Sequence, residues 1–344
     1  MASGLMITNI MVLNPTAVQT VEALLTEAPS PFLPGTNVMV AWDSTSLGML
    51  KTCPRLYQYV IIDGWQSKEE SVHLRFGIEY HHALQDYDLS RAANISHDDA
   101  VHDVVRELLL RTSDFDPDHK TKTREGLVRT VIWYLDKFQD DPASTFILSD
   151  GKPAVEQSFR FELDWGPMSP KIALAEEYGP DEKLPATQPY ILCGHLDKIV
   201  TYNDELFAKD YKTVWSFWGK RWEPDNQMTL YSLASKVILN APVKGVIIDM
   251  AQIKEDTTEF KREFTFRTPD QLEEWLRDLR YWLTLAEQYA IADYWPQNDT
   301  ACDKFGGCRF RDICSKSPSV RERFLEGNFI KLEEKDRWNP LRAR

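Results

Sequence analysis

The chain has 344 residues, of which 43% are hydrophobic and 12% aromatic, and this composition provides enough apolar surface for a substantial core and excludes a disordered protein. The formal net charge of −13 excludes a surface that coats nucleic acid through a general excess of positive charge, although a locally basic groove stays compatible with it. No apolar run approaches the roughly 18 residues that span a bilayer, and the start lacks a basic secretory signal, so we expect a soluble cytoplasmic protein.

The N-terminal part of the chain combines a short helical pattern with several prolines. Residues 1–40 show a short helical pattern over residues 18–25 and then proline-rich punctuation, with no recognisable chemistry. Ser44 or Thr45 then offers a hydroxyl that can cap the next helix, which runs into Cys53. Taken singly, a cysteine at such a place is more often a buried apolar residue than a metal ligand.

Helical spacing continues through the next hundred residues. His81 has a glycine four residues before it and a leucine three residues after it, and these residues alone fit a solvated or hydrogen-bonded histidine on a helix. Apolar residues at helical spacing over residues 97–112 and 121–140 predict two amphipathic helices. They form a predicted helical insertion, residues 95–145, that covers a sheet.

From Ala154 the apolar residues alternate, which predicts a strand that contains Glu156. An exposed glutamate on the face of that strand is the simpler interpretation of Glu156. Residues 164–189 contain five prolines, which a central strand does not tolerate, so they predict an insertion loop between this strand and the next.

Residues 191–212 form two apolar, β-branched runs on either side of an Asn-Asp pair, a pattern that predicts a β-hairpin. Asp210 and Lys212 are two residues apart on the second strand and therefore face the same side, and the hairpin folds Asp197 of the first strand towards them. Two carboxylates and an ammonium form a compact site for a divalent cation, an anionic substrate and an activated water. The alternative from these residues alone is a salt-bridged surface hairpin.

Aromatic and basic residues follow the hairpin directly. They can stack on the bases and neutralise the phosphates of single-stranded nucleic acid, or they can pack over the edge of the sheet. These residues are Trp215, Trp218, Lys220, Arg221 and Trp222. Gln227 and Tyr231 come next, four residues apart and therefore on one face of a predicted helix.

The C-terminal third completes the predicted core. Residues 243–253 and 260–266 predict two further strands, and a long amphipathic helix begins at Pro269. The last segment, residues 319–344, is highly charged and predicts either a solvated tail or a terminal helix.

The chain has five cysteines, and an odd number without a secretory signal argues against a disulfide framework. One cysteine from early in the chain and three from its end supply four thiolates, which suit a 4Fe–4S cluster or a tetrahedral Zn²⁺ ion. These four are Cys53, Cys302, Cys308 and Cys314. Cys193, within the first strand of the hairpin, remains as a structural thiol.

The ordered set of motifs resembles the PD-(D/E)xK nuclease superfamily, in particular the RecB/AddB-type exonucleases that carry an iron–sulfur cluster, and phage and CRISPR-associated nucleases share this layout. The resemblance extends over roughly residues 44–317. It comprises a Cys-Pro segment at Cys53, Gly-x3-His at His81, a strand acid at Glu156, Gly-x2-Asp at Asp197, Asp-x-Lys at Asp210, Gln-x3-Tyr at Gln227, and the late cysteines. The cysteine spacing departs from the common C-x2-C-x5-C pattern, because both gaps here hold five residues, and this weakens the case for iron over zinc.

The resemblance implies an α/β fold with a central mixed β-sheet of the restriction-endonuclease-like type, flanked by helices. It implies one nuclease domain, residues 41–318, with the cysteine-ligated region formed by residue 53 and residues 302–314. The N-terminal segment 1–40 and the charged tail 319–344 lie outside that domain.

The resemblance also assigns roles to the site residues. The implied ligands of one or two Mg²⁺ or Mn²⁺ ions are His81, Asp197, Asp210 and the Tyr211 carbonyl. Lys212 is implied to orient or deprotonate the attacking water, and Gln227 and Tyr231 to position the phosphate or the lysine. The implied substrate is DNA, with a free single-stranded end.

The partners that fit such a nuclease are a second copy of the chain or proteins of recombination, repair or CRISPR systems, in a bacterium or a phage-infected cell. Two other interpretations stay open at this point. One is a non-catalytic DNA-binding or assembly protein that keeps the nuclease fold, and the other is a zinc-stabilised α/β protein.

Overall fold

The computed structural model describes residues 28–167, 189–217 and 222–342. The predicted helix at residues 18–25, most of the predicted loop at 164–189, and Trp218, Lys220 and Arg221 lie outside the described residues. Within the described ranges, no helix is both long and apolar enough to cross a membrane.

The helices and strands alternate irregularly along the chain. The strands are β1 (Ala41–Trp42), β2 (Trp65–Ser67), β3 (Ser144–Thr145), β4 (Val155–Glu162), β5 (Ile191–Tyr202), β6 (Glu205–Val214), β7 (Val243–Ile253), β8 (Thr258–Thr265) and β9 (Phe329–Lys331). The helices are α1 (Ser44–Thr52), α2 (Pro54–Tyr57), α3 (Val72–Ala92), α4 (His97–Arg111), α5 (Arg124–Lys137), α6 (Asn226–Leu239), α7 (Pro269–Ile291), α8 (Arg311–Cys314) and α9 (Arg321–Asn328). A π-helical turn at Gln58–Ile62 continues α2, and 3-10 turns lie at Asp299–Ala301 and Lys304–Gly306.

The main sheet is mixed, with the strand order β1-β5-β6-β7-β8, and β3 and β4 also pair with β5. The β1/β5 and β6/β7 pairs are parallel, whereas β5/β6 and β7/β8 are antiparallel. Helices flank this sheet, so the predicted fold class of a mixed α/β sheet between helices is confirmed. The predicted strands and helices after Ala154 are confirmed by β4 to β8, α6 and α7.

The chain falls into two compact units. The hairpin unit comprises residues 70–157 and 195–269, and the cysteine unit comprises the described parts of residues 1–69, 158–194 and 270–344. The carboxylate residues of the predicted site belong to the first unit, and the four predicted cluster cysteines belong to the second. The single-domain boundaries expected from the sequence stay a prediction.

In the hairpin unit, three helices bury their apolar faces against the sheet. Leu108 of α4 and Leu135 of α5 lie in one core cluster with Tyr80 of α3, and Tyr211 and Ala251 of the sheet belong to the same cluster. The predictions of two amphipathic helices over residues 97–112 and 121–140 are therefore confirmed by α4 and α5. That residues 95–145 form an insertion into the domain stays a prediction.

In the cysteine unit, α1 is capped one residue earlier than predicted. Asp43 has an extended backbone and its Oδ1 accepts a hydrogen bond from the Ser46 N–H at 2.8 Å, while Ser46 Oγ accepts one from the Asp43 N–H at 3.1 Å. The prediction that Ser44 or Thr45 caps α1 is wrong, because both already lie within the helix and the Asp43 carboxylate satisfies its free N–H group.

The charged C-terminal segment packs back onto the cysteine unit. The predicted terminal helix corresponds to α9, but the strand β9 was not predicted, and it pairs antiparallel with β2 from Phe329↔Ser67 to Lys331↔Trp65. Leu325 is buried and Phe329 stacks on Phe310 at a ring distance of 4.5 Å. The solvated-tail alternative is wrong for this stretch, because two apolar residues among many charges are enough to anchor it.

Candidate active site

The hairpin opens at the predicted site. Asn203 and Asp204 have φ values of 50° and 62°, the left-handed conformation that a tight hairpin turn requires of both central residues. The strands pair from Tyr202↔Glu205 as far as Lys198↔Lys209, and the pairing ends there. Asp197, which comes next, therefore has a backbone N–H of the opposite strand within reach of its side chain.

Asp197 is held by two donors. His81 Nδ1, carried by α3, lies 3.2 Å from Asp197 Oδ2, and the same oxygen accepts a hydrogen bond from the Tyr211 backbone N–H at 3.0 Å. The His81 side chain is 27% exposed and that of Asp197 is 12% exposed, so the contact lies at the border of the core and the surface. The structure thus brings together the histidine and the first aspartate of the predicted site.

Asp210 and Lys212 also meet as predicted, on one face of β6. Lys212 Nζ lies 2.9 Å from both oxygens of the fully buried Asp210 carboxylate. Only the contact with Oδ1 has hydrogen-bond geometry, so Oδ2 is in ionic contact with Lys212 but lacks a hydrogen-bond donor among the described residues. The hydrogen-bonding capacity of this buried carboxylate is therefore not fully used.

The two carboxylates have opposite pKa shifts. Burial raises the pKa of Asp210 to about 6, against the effect of Lys212, and the charge of Asp197 adds to the rise. Burial also pushes the pKa of Asp197 upwards, but the His81 contact, the Lys212 charge and the Tyr211 N–H outweigh it and lower this pKa. Two carboxylates that influence each other in a buried place favour a cation between them.

The pKa values of the two basic side chains, Lys212 and His81, are both raised. Burial tends to lower the pKa of Lys212, but Asp210 and then Asp197 outweigh burial and raise it. The pKa of His81 is likewise raised, because Asp197 outweighs the effect of burial. Both groups therefore favour their protonated forms beside the carboxylates.

The donor chemistry fits a hard divalent cation. Carboxylate oxygens are the ligands that Mg²⁺ and Mn²⁺ prefer, Mn²⁺ also accepts an imidazole, and Asp210 Oδ2, which accepts no hydrogen bond from the described residues, is an oxygen that such an ion would satisfy. The groups at present engage one another, His81 with Asp197 and Lys212 with Asp210. In the part of the chain that the structure describes, no group of three or more His, Cys, Asp or Glu side chains is arranged so that it could hold a metal ion as it stands.

The helix after the hairpin carries the predicted amide and phenol on one face. Gln227 Nε2 donates a hydrogen bond to the Tyr231 hydroxyl at 2.9 Å, one turn further along α6. Asp225 caps this helix by accepting from the Met228 N–H at 2.9 Å, and its charge also raises the pKa of Lys212. The first turn of α6 therefore lies near the lysine, while the roles of Gln227 and Tyr231 stay predictions.

The remaining sequence candidates lie in different surroundings. Glu156 is half-buried near the start of β4 and has a φ of 49°, and its part in the site stays a prediction. Trp215, at the end of β6, is 81% exposed and offers a stacking surface. Trp222 is 8% exposed, and its carbonyl accepts a hydrogen bond from Arg267. Of the two predicted roles, base stacking or packing against the protein, Trp222 therefore has the second.

A buried network that no motif marks lies behind the site. The Tyr211 hydroxyl donates to Asp88 Oδ2 at 2.9 Å, and Lys198 Nζ donates to Asp88 Oδ1 at 2.6 Å. Asp88 lies seven residues after His81, two helical turns along the same face of α3, and Lys198 directly follows Asp197. That spacing is the one sequence signal from which Asp88 could have been found.

The four cysteines of the predicted cluster line one cavity of about 300 Å³ in the cysteine unit. The Cys53 sulfur accepts a hydrogen bond from the Asn298 N–H at 3.3 Å, and the Cys308 N–H donates to the Cys302 carbonyl at 2.8 Å. All of them are free thiols. Burial raises the pKa of Cys302 and of Cys314, and the neighbouring thiols Cys308 and Cys53 add to both shifts.

The surroundings of this cavity distinguish the four thiols from the fifth. Gly306 and Gly307 have φ values of 84° and 106°, which side-chain-bearing residues rarely adopt, and they let the chain turn tightly between Cys302 and Cys308. Cys193 is instead buried in β5, with its sulfur 3.5 Å from the Trp42 carbonyl, and burial raises its pKa well above the ordinary value.

Comparison with known proteins adds independent findings. The family model of the PD-(D/E)XK nuclease superfamily matches residues 44–315, well over half of the chain. A crystal structure of a protein from Eubacterium rectale, described as a "Putative exonuclease", is similar with a TM-score of 0.45 and 11% sequence identity, over 83% of this chain and 92% of that chain. No curated protein gives a significant match.

Proposed function

Because this chain belongs to the PD-(D/E)XK nuclease superfamily, we propose that it is a metal-dependent deoxyribonuclease of the RecB/AddB type, an exonuclease that hydrolyses DNA from a free single-stranded end. The observation that carries the proposal is the convergence of four side chains where the pairing of β5 and β6 ends: His81, Asp197, Asp210 and Lys212. Recombination, repair and phage DNA processing are the settings that the proposal favours, in the cytoplasm of a bacterium or of a phage-infected cell.

In this proposal Mg²⁺ or Mn²⁺ is held by the two carboxylates, with His81 and the Tyr211 carbonyl as further ligands. When bound, the ion supplies Lewis-acid stabilisation of charge on the phosphoryl oxygens and lowers the pKa of a water. Asp197 is already oriented for this task, since the Tyr211 N–H and His81 hold one of its oxygens. Asp210 contributes the oxygen that has no hydrogen-bond donor among the described residues.

Lys212 supplies positive charge and hydrogen-bond donors to the phosphodiester. The carboxylates raise its pKa, so before substrate binds it is an ammonium group, not a free amine. From its place 2.9 Å from Asp210 it can orient a water or neutralise charge that develops in the transition state. Gln227 and Tyr231 would then position the phosphate or the lysine through their shared hydrogen bond.

The four-cysteine cavity is proposed to hold a 4Fe–4S cluster with a structural role, and a tetrahedral Zn²⁺ ion is the chemical rival. The support is that thiols from both ends of the domain line one cavity and influence each other's pKa. A cluster there cross-links a chain segment of roughly 250 residues, which strongly restricts the unfolded chain.

The test is cleavage of end-labelled single-stranded and double-stranded oligonucleotides by protein purified without oxygen, with Mn²⁺ or Mg²⁺ added. We expect shortening from the ends that disappears in Asp210→Asn and in Lys212→Met. Metal analysis of the same preparation distinguishes iron from zinc. DNA binding without cleavage would instead favour the non-catalytic DNA-binding or assembly protein.

A further inference from the structure

Lys122, in the segment between α4 and α5, is a buried cation without a counter-ion. The residue is 8% exposed, its Nζ donates to Thr213 Oγ1 at 3.1 Å, and it lies 5.0 Å from the centroid of the Phe76 ring. Across the three described ranges, no Asp or Glu forms an ion pair with it, and Thr213 is its one hydrogen-bond acceptor. A buried ammonium group is costly unless its charge and its donors are satisfied.

The position of Lys122 ties it to the candidate active site. Thr213 directly follows Lys212 on β6, so the Lys122 ammonium group lies against the strand that carries Lys212, but on the opposite face of that strand, the one that Thr213 shares with Tyr211. On the other side, Gly77 of α3 packs near Thr213, and Gly77 lies one helical turn before His81. The exposed Trp215 is two residues further along the chain.

Two histidines extend this group of donors. His119 Nδ1 accepts hydrogen bonds from the backbone N–H groups of Lys122, at 2.9 Å, and Thr121, at 3.2 Å, so neutral His119 carries its proton on Nε2 and can donate there. The His73 ring packs edge-on against His119 at 5.1 Å. Burial lowers the pKa of His73, and the charge of Lys122 lowers it further.

We propose that Lys122, assisted by His119, forms a subsite for a backbone phosphate of the DNA strand outside the carboxylate site, at the end of β6. A phosphodiester supplies what the described residues do not, namely a negative charge and acceptors for the two ammonium donors that Thr213 leaves unused. The inference rests on the proposed nuclease function, because it takes the strand bound at Lys212 to continue past the end of β6.

The proposed subsite also provides local positive charge on an acidic protein. A protein with a net charge of −13 repels DNA over most of its surface, so a strand needs local positive charge at the place where it enters. A contact of this kind binds the backbone irrespective of base sequence, while Trp215 offers a face on which a neighbouring base can stack.

The competing explanation is that Lys122 only tethers the loop to β6. Burial alone lowers its pKa to about 8, and a mere tether to Thr213 does not need the positive charge. The two explanations differ in one measurable quantity, the number of salt ions released when DNA binds. Each phosphate neutralised by a cation contributes about 0.7 to the slope of log K against log salt for a single strand.

The experiment measures the affinity of a labelled single-stranded oligonucleotide over a range of KCl concentrations, with full-length protein that carries Asp210→Asn so that the DNA stays intact. In this background Lys122→Met keeps the apolar stem against Phe76 and removes the charge. We expect it to weaken binding about three- to tenfold and to reduce the salt slope by about 0.7. Lys120→Met, at an exposed lysine two residues away, is the matched control and leaves the slope unchanged.

Lys122→Arg keeps the positive charge and is expected to retain the salt slope of the parent protein. Lys122→Gln is the neutral variant to use if Lys122→Met does not fold. An unchanged slope in the neutral variants, or no binding of DNA by the parent protein, overturns the subsite. Cleavage by the wild-type protein is measured separately. If the neutral Lys122 variants reduce the salt slope but the wild-type protein cleaves no DNA, the phosphate subsite is supported and the nuclease function is refuted. If the wild-type protein cleaves DNA but the neutral variants leave the salt slope unchanged, the nuclease function is supported and the subsite is refuted.

Discussion

The carboxylate site and the cysteine site differ in what holds their ligands in place before any ion binds. In the carboxylate site the chain itself supplies the partners, because His81 lies 3.2 Å from Asp197 and Lys212 lies 2.9 Å from Asp210. Regular elements carry these residues, namely a long helix and two paired strands. Each anion has a cation beside it.

The cysteine site is built from short turns. Cys302 and Cys308 flank the 3-10 turn at Lys304–Gly306, and α8, which carries Cys314, is four residues long. Burial raises the pKa of Cys302 and Cys314, so these thiols favour their protonated form, which does not bind metal well. A metal has to displace these protons as it binds.

The two sites therefore differ in whether their side chains already have partners of opposite charge. The hairpin unit folds its ligands into mutual ion pairs, so we expect it to keep its geometry without a cation. The four thiols of the cysteine unit form no ion pair with one another among the described residues, so under the proposal we expect the stability of this unit to depend on the metal that the thiols bind. Variants that remove one ligand from each site should therefore fail in different ways.

The largest effect is expected from Cys302→Ala. Loss of one thiolate prevents four-fold ligation, so the variant should contain little iron or zinc and should be poorly soluble. Cys193→Ala is the control in the same unit, and it should keep its metal and lose only about 1 kcal/mol through a small cavity. Metal content and absorbance near roughly 400 nm after purification without oxygen measure the difference. Wild-type stability and metal content in Cys302→Ala would refute the structural cluster.

The next effect is on catalysis without loss of the fold. Asp210→Asn keeps the shape of the side chain but removes a charge from the site, and we expect cleavage to fall by about 10²–10³-fold or more. The melting temperature should stay within a few degrees, because the buried carboxylate is itself costly to ionise, as its pKa of about 6 indicates. Unfolding of Asp210→Asn under conditions where the wild type is folded would show that the ion pair supports the fold.

Sequence periodicity was sufficient for the elements that build the hairpin site. The place of His81 beside Asp197, a residue far away in the chain, was implied by the family resemblance alone. For the hairpin itself, alternation places Asp210 and Lys212 on one face, and the Asn-Asp turn sets the register that brings Asp197 opposite them. Both of these inferences use contacts between residues close in the chain, or a single hairpin. Local patterns determine such contacts directly.

The residues that were missed depend on partners far away in the chain. Lys198 meets Asp88 across 110 positions, and Lys122 meets Thr213 across 91 positions. A lysine on an apolar strand or in a loop looks the same in the sequence whether its charge is exposed or buried. Only the packing of α3 and of the segment before α5 against β6 decides that, and no periodicity encodes it.

Low pH tests a second group of ion pairs in the hairpin unit. In the hairpin unit Arg262 bonds both Asp141 and Asp249, and Lys209 bridges the same two carboxylates at 2.9 Å. Burial works against ionisation, but Arg262 and Lys209 outweigh it and lower the pKa of both carboxylates below the ordinary 3.8.

A carboxylate whose folded-state pKa is lowered adds stability that is present above pH 4 and is lost as the pH falls through the folded value. We therefore expect the free energy of unfolding of the wild type to fall below about pH 4. Arg262→Met should cost about 3 kcal/mol at pH 7 and flatten this dependence. Urea unfolding at pH 7 and pH 3 measures both, and an equally steep dependence in the variant would exclude the network as its source.

The smallest effect is expected from Tyr211→Phe. Tyr211 connects the site to the network behind it. Its backbone N–H donates a hydrogen bond to Asp197, and its hydroxyl donates one to Asp88. Asp88 also accepts a hydrogen bond from Lys198, the residue after Asp197. Removal of the hydroxyl should cost about 1.5–3 kcal/mol, as for a hydrogen bond to a charged group. It should also lower kcat about tenfold with little change in KM, because outer partners orient the ligands of a metal.

Tyr134→Phe separates orientation from stability in this last test. The Tyr134 hydroxyl donates to the buried Asp249 at 2.6 Å, so its loss removes a comparable hydrogen bond from the same unit without touching Asp88 or Asp197. Equal losses of stability in the two variants, with kcat reduced only in Tyr211→Phe, would show that the network positions the ligand. If kcat falls equally in both, the network supports the fold alone, and preorganisation of the carboxylate site must come from the hairpin itself.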